Sequence, residues 1–277
     1  MTGMGMSLSD IIAQMSIPKA EEIPKAEGKI SAYDKMMLDF ENGRVGSMTE
    51  CNCEKCKNKG YIFQLNEDGF MIARECTCMP ERQYIRMMEA SGLGDVYKKY
   101  TFDAYKENTD FRRTCKQLAL RYAADESNSW LIFSGQSGVG KTHLCTAICS
   151  ELAKRGRRIV YVQWKRVFSR LLQTKFKEAE QDQHFDELLS ADVLYIDDFL
   201  KTPDNVRPTD EMLSYALEVI NSRYVADKKT ILSSEFFISD IEKFDEALGG
   251  RITEKSRGSK IQVIRGEGRN YRLEGEQ

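Results

Sequence analysis

Residues 130–144 read WLIFSGQSGVGKTHL, an apolar run that enters Gly135-x-x-x-x-Gly140-Lys141-Thr142 and leaves into a helical pattern. Strand, glycine-rich loop and helix in that order are what a phosphate-cradling P-loop requires. The glycines let successive backbone N–H groups curl around phosphate oxygens, and the helix start adds the positive end of its dipole. Gly135, Gln136, Ser137, Gly138, Val139, Gly140, Lys141, Thr142 and His143 are therefore the candidate nucleotide cradle. Lys141 would reach the β- and γ-phosphates, and the Thr142 hydroxyl would join an octahedral Mg²⁺ shell. His143 belongs to the cradle by position, yet neither it nor His184 has a sequence neighbour that suggests metal binding or nucleophilic chemistry.

Downstream, ADVLYIDDF runs four apolar residues into the adjacent acids Asp197 and Asp198. Acids at the C-terminal end of a strand stand at the edge where open α/β sheets bind ligands. Asp197 would hold Mg²⁺ and Asp198 would orient or deprotonate an attacking water. The runs WLIF, RIVYV, VLYI, TILSS and KIQVI alternate with helical stretches, which predicts a parallel sheet flanked by helices. Within this stretch, Ser239-Asp240-Ile241-Glu242 fits a capping box opening a helix that Gly249-Gly250 would stop.

The order, spacing and flavour of these motifs resemble the AAA+ ATPases of the DnaC/IstB-like group, in particular phage and bacterial helicase loaders, over roughly residues 51 to 277. The resemblance implies a five-stranded sheet core and ATP-dependent oligomers that deliver a replicative DNA helicase onto single-stranded DNA. It matches Gly135, Gly138, Gly140, Lys141 and Thr142 to Walker A, and Asp197 with Asp198 to Walker B. In LGGRITEKSRG it makes Arg251 the candidate arginine finger reaching a neighbouring subunit's ATP, with Arg257 as second choice. In GEGRNYRL it makes Arg272 a contact to nucleotide in the same subunit. One departure stands out: Glu235, preceded by Ser234, falls where the wider superfamily usually has a sensor asparagine. Two rivals follow, an IstB-like transposition ATPase acting on duplex DNA and a non-catalytic adaptor that nucleotide merely switches.

Eight cysteines are present, but five crowd between positions 51 and 78, a distribution unlike a disulfide framework and suited to metal. Cys53-x-x-Cys56 and Cys76-x-Cys78 can supply four thiolates to a closed tetrahedral Zn²⁺ site, with Cys51 able to replace Cys53. An iron–sulfur cluster or redox thiols are the alternatives. Between the pairs, YIF and FMI flank Asn66-Glu67-Asp68-Gly69 and predict a hairpin. Cys115, Cys145 and Cys149 read as small buried hydrophobes. The domain plan is then residues 1–50 as helical or linker segment with the repeated IPKAE, 51–92 as zinc module and 93–277 as ATPase. ERQYIRMMEASG reads as a helix of that module, closed by Gly92.

WKRVFSRLLQTKFK interleaves Lys165, Arg166, Arg170, Lys175 and Lys177 with Trp164, Phe168 and Phe176. It fits a strand-tracking surface for single-stranded DNA and an amphipathic helix burying Val167, Leu171 and Leu172, two readings that one helix can combine. The formal charge of −2 gives no global attraction to nucleic acid, so any such surface must be local. No apolar run approaches the roughly 18 residues a membrane span needs, and the start, MTGMGMSLSD, lacks a signal-peptide pattern, so a cytoplasmic protein is expected.

Overall fold

The computed structural model describes residues 31–90, 93–174, 178–202, 206–263 and 270. A helix, α1 (Ala32–Gly43), precedes an antiparallel hairpin of β1 (Tyr61–Leu65) and β2 (Met71–Glu75), and α2 (Met79–Ala90) follows. The Asn66 carboxamide oxygen accepts from the N–H groups of Asp68 and Phe70, which closes the tip of the hairpin where the sequence places it.

Beyond the short α3 (Gly94–Lys99) and α4 (Asp110–Ala124) come β3 (Leu131–Gly135), α5 (Lys141–Lys154), β4 (Ile159–Gln163), α6 (Trp164–Thr174), α7 (Glu178–Ser190) and β5 (Val193–Asp197). The chain continues through α8 (Asp210–Val225), β6 (Lys229–Ser234), α9 (Ile238–Phe244), α10 (Glu246–Lys255) and β7 (Lys260–Val263). The last five strands form one parallel sheet in the order β4-β5-β6-β3-β7.

Both faces of that sheet are covered, which is why its strands are nearly unbroken apolar runs. Period-2 alternation sends Leu131, Phe133, Val193 and Tyr195 into one core with α2, α4 and α5. Trp130, Ile132, Leu194 and Ile196 enter the other, with α6 through α10. Arg223 of α8 is wholly buried and ties the second layer together, its guanidinium donating to the carbonyls of Leu188, Ala191 and Lys229.

The predicted helix from Ser239 to Gly249-Gly250 is two helices. α9 starts one residue earlier than the proposed cap, because the Asp240 carboxylate accepts from the Phe237 N–H. The break falls at Asp245, whose side chain accepts from Leu248 N–H and opens α10. Gly249 and Gly250 lie inside α10 and do not stop it. A Cβ at Gly249 would press on the Glu242 backbone, so this glycine serves the close approach of α9 and α10.

Candidate nucleotide site and cysteine cluster

Because β6 lies between β5 and β3, the loops after these three strands meet at one sheet edge. Gly135, Gly138 and Gly140 all take positive φ, 109°, 79° and 91°, so the loop between β3 and α5 is curled as a phosphate cradle requires. A Cβ at Gly138 would run into the Asn270 carboxamide, so Asn270 lies against the loop. Arg272, two residues on, lies outside the described residues, as do Lys175, Phe176, Lys177 and Gly92; of His184 only its place in α7 is described.

Lys141 is buried and its Nζ donates to the carbonyl oxygens of Gly135 at 2.7 Å and Gln136 at 2.9 Å. Burial lowers its pKa, against the opposing pull of Glu235, Asp198 and Asp197. The Thr142 hydroxyl donates to Asp197 Oδ1 at 3.2 Å, so the two expected Mg²⁺ ligands are already adjacent. His143 is turned away from the acids: its ring stacks on Tyr100 at 4.6 Å, and Nε2 lies 2.8 Å from the Thr101 carbonyl oxygen.

Asp197 is buried and held from several sides. Tyr195 Oη donates to Oδ1 at 2.7 Å, Ser233 Oγ donates to the same oxygen, and Tyr161 Oη donates to Oδ2 at 3.4 Å. Ser233 Oγ also accepts from Asp198 N–H at 3.0 Å, locking the acid pair to β6. Asp198 and Leu200 have φ of 53° and 62°, a left-handed turn that a leucine rarely adopts. That turn presents Lys201, whose Nζ donates to Asp198 Oδ2 at 3.1 Å and Glu235 Oε1 at 2.9 Å. Ser234 points elsewhere: its hydroxyl donates to the Phe199 carbonyl oxygen at 2.9 Å. Ser233, Tyr195, Tyr161 and Lys201 escape a motif search, although Ser233 with Glu235 and Tyr195 with Asp197 sit two apart, as residues on one strand face must.

Arg251 lies on α10 and is engaged with α8. Its Nε donates to Asn221 Oδ1 at 2.9 Å, its Nη1 to the Ala247 carbonyl oxygen, and its guanidinium covers the Tyr224 ring at 5.7 Å. The alternative, Arg257, follows α10 in an exposed turn.

The sulfur atoms of Cys53, Cys56, Cys76 and Cys78 all lie within 4.8 Å of one another; Cys51 is outside the group. Burial alone would raise the Cys56 pKa, but the Gly60 N–H and the neighbouring thiols outweigh it and lower it to about 6. Arg82, fully buried on α2, donates to Cys78 Sγ at 3.3 Å, Glu50 at 3.0 Å and Asn58 at 2.9 Å. Four converging thiols with a buried cation beside them fit a tetrahedral metal whose thiolate charge needs balancing.

The aromatic half of the DNA-tracking reading of α6 fails at Trp164. This ring is buried against Phe199 at 5.1 Å, with Phe168 stacked over it, because α6 leaves the end of β4 with Trp164 and Leu171 turned to the core; Val167 is partly buried, and Leu172, expected to pack inward, is exposed. The basic half is placed differently: Lys165, Arg166 and Arg170 line an open cavity of about 850 Å³ shared with Gln163, Gln173 and Met87 of α2. No helix among the described residues is long and apolar enough to cross a membrane.

Residues 96–256 match the bacterial DnaA ATPase domain. The phage-like element PBSX protein XkdC of Bacillus subtilis is 32% identical over 244 residues, covering 81% of this chain and 87% of that one. The chain belongs to the DnaC/DnaA-like AAA+ ATPase family. Among family members, the replicative helicase loader DnaC of Escherichia coli is 25% identical over 183 residues, covering 65% of this chain and 72% of DnaC. A crystal structure of the DnaC helicase loader superposes with a TM-score of 0.51 at 21% identity, over 61% of this chain and 98% of that one, a likeness of fold. The chain spans about half the length of the DnaA initiators it also matches. The five-stranded α/β core is thus the family's replication-related AAA+ fold.

Proposed function

We propose that this chain binds ATP with Mg²⁺, hydrolyses it, and uses the cycle to load a replicative DNA helicase onto single-stranded DNA in a bacterium or phage. One observation carries the reading: Lys141, Thr142, Asp197 and Asp198 converge at one sheet edge. Lys141 with the loop N–H groups would bind the phosphates, Thr142 and Asp197 would hold Mg²⁺, and Asp198 would orient the attacking water. Mg²⁺, when bound, supplies charge neutralisation between the phosphates. The cysteine cluster would hold a structural Zn²⁺ and, with α1 and the hairpin, form the docking element for the helicase. The basic cavity beside α6 would take phosphates of the DNA strand. The likeness to DnaC and to a protein of a phage-like element supports this assignment over a chromosomal initiator.

In an ATP-dependent oligomer, Arg251 would leave its contacts with α8 and reach the neighbour's γ-phosphate. Arg251→Ala is expected to keep ATP binding while oligomer-stimulated turnover falls by on the order of 10³. Unchanged turnover at saturating protein would assign Arg251 to the packing of α10 on α8 alone.

A nucleotide-switched adaptor remains the second reading, favoured by the ion pair that occupies the Asp198 carboxylate. Co-purification with the replicative helicase, with ATP present and again with Cys56 and Cys76 changed to Ser, tests the role. A complex lost on those changes supports a loader that docks through its metal module. A chain that ignores the helicase and binds duplex DNA would instead be a transposition-type ATPase.

A further inference from the structure

Lys201 and Glu235 form a unit that motif reading did not contain. Glu235 directly follows β6 as Gly135 follows Ser134, whose register partner is Ser234, and its carboxylate is close enough to act on the Lys141 ammonium of the phosphate loop. A carboxylate at that place would repel a terminal phosphate across a short distance. Lys201 answers it. Its ammonium lies 2.9 Å from Glu235 Oε1 and 3.1 Å from Asp198 Oδ2, with the Glu235 side chain only 13% exposed and Asp198 at 42%. The better buried partner is the stronger anchor, and the more exposed one is the easier to release. The left-handed turn at Asp198 and Leu200 fixes this ammonium next to the acid pair, and local strain of that kind collects at functional sites.

Building on the ATPase reading above, we propose that Lys201, anchored by Glu235, is a γ-phosphate contact of this site and exchanges its bond to Asp198 for one to a γ-phosphate oxygen when ATP binds. An ammonium has three donors, so it can keep Glu235 while changing its other partner. The exchange neutralises charge on the phosphate and frees the Asp198 carboxylate to accept a hydrogen bond from the attacking water. With ADP there is no γ-oxygen to compete, and Lys201 stays on Asp198. One lysine thereby reports the terminal phosphate and unmasks the water-orienting acid, the task a neutral sensor side chain would only half perform.

The test uses the full chain and two readouts, equilibrium binding of a fluorescent non-hydrolysable ATP analogue against the matching ADP, and steady-state phosphate release. Lys201→Ala is expected to leave ADP affinity within about threefold, weaken the ATP analogue about tenfold, and lower kcat by on the order of 10². Lys201→Arg should restore part of the discrimination, because it keeps charge and donors, while Glu235→Gln should loosen the anchor and lose discrimination in the same direction. Equal losses for ADP and ATP analogue with kcat unchanged would make Lys201 a structural ion pair and overturn the proposal. Should Lys201→Ala fail to fold, the Lys201→Arg and Glu235→Gln pair decides, and wild-type ratios in both would overturn it. A wild-type chain that binds neither nucleotide would overturn the ATPase reading and this proposal with it. Normal wild-type turnover with an unaltered ratio in every variant would remove the Lys201 role alone.

Discussion

Replacing Lys141 with alanine is expected to abolish measurable ATP turnover, a loss of on the order of 10³ or more, and to weaken ATP binding by at least tenfold. Lys141 is the buried ammonium of the phosphate loop, and its present partners are the loop's own carbonyl oxygens at Gly135 and Gln136. Those bonds hold it at the mouth of the cradle without satisfying its charge as fully as a phosphate would. Burial already disfavours the cation, and Glu235, Asp198 and Asp197 pull the other way, so a polyanion entering the loop meets a charge that gains from its arrival. Alanine removes that interaction together with the two bonds from Nζ to the loop carbonyl oxygens, a cost on the order of 1 kcal/mol to the fold. Phosphate release, a binding titration and a melting curve on the same sample separate the effects. Turnover that survives the substitution while the melting curve is unchanged would move the hydrolytic site elsewhere.

The second large effect is expected at the cysteine cluster. Purified chain should carry one equivalent of zinc, and Cys56→Ser or a strong chelator should remove it and cost several kcal/mol of stability in the segment 44–90. Ahead of α2 the segment is short, its hairpin strands are mostly exposed, and the apolar cluster of residues 51–78 consists of the cysteines themselves. Without metal nothing of comparable size holds the two ligand pairs together. Hydrogen exchange before and after chelation gives the local reading, with protection lost first at β1, β2 and the amides around Cys53 and Cys56. A chain with no bound zinc, or full protection after chelation, would assign the cluster to redox chemistry or to ordinary packing.

Much of the architecture was legible because it is written in local patterns. The short apolar runs of the strands, the glycine spacing of the loop, the turn at Asn66-Glu67-Asp68-Gly69 and the paired cysteines are each written within a few residues, and the structure has strands, a curled loop, a hairpin and a cysteine cluster at those places. What stayed hidden depends on register between strands far apart in the chain. Ser233 reaches Asp197 across 36 positions and Lys201 reaches Glu235 across 34, contacts that exist only once β5 and β6 are side by side. The helix break at Asp245 was obscured by two glycines that looked like a stop; Gly249 in fact serves close helix packing. Trp164 suggested a stacking platform beside its basic neighbours, whereas its place at the start of α6, against Phe199, makes it a core residue.

α2 sets a limit on how this protein can be divided and recombined. Its first residue follows Cys78 directly, Arg82 touches that sulfur, and two residues further on Tyr84 donates to the Thr146 carbonyl oxygen on α5. Met87 accepts from the Tyr161 N–H, and the hydroxyl of that tyrosine bonds Asp197. A chimera cut at Met79 would therefore sever the cysteine module from the arginine beside its sulfur and leave a foreign ATPase core with a groove over β4 and α5. The transplantable piece runs from α1 through Ala90, and a recipient core must already present a β4 and an α5 shaped to receive Tyr84, Met87 and Met88.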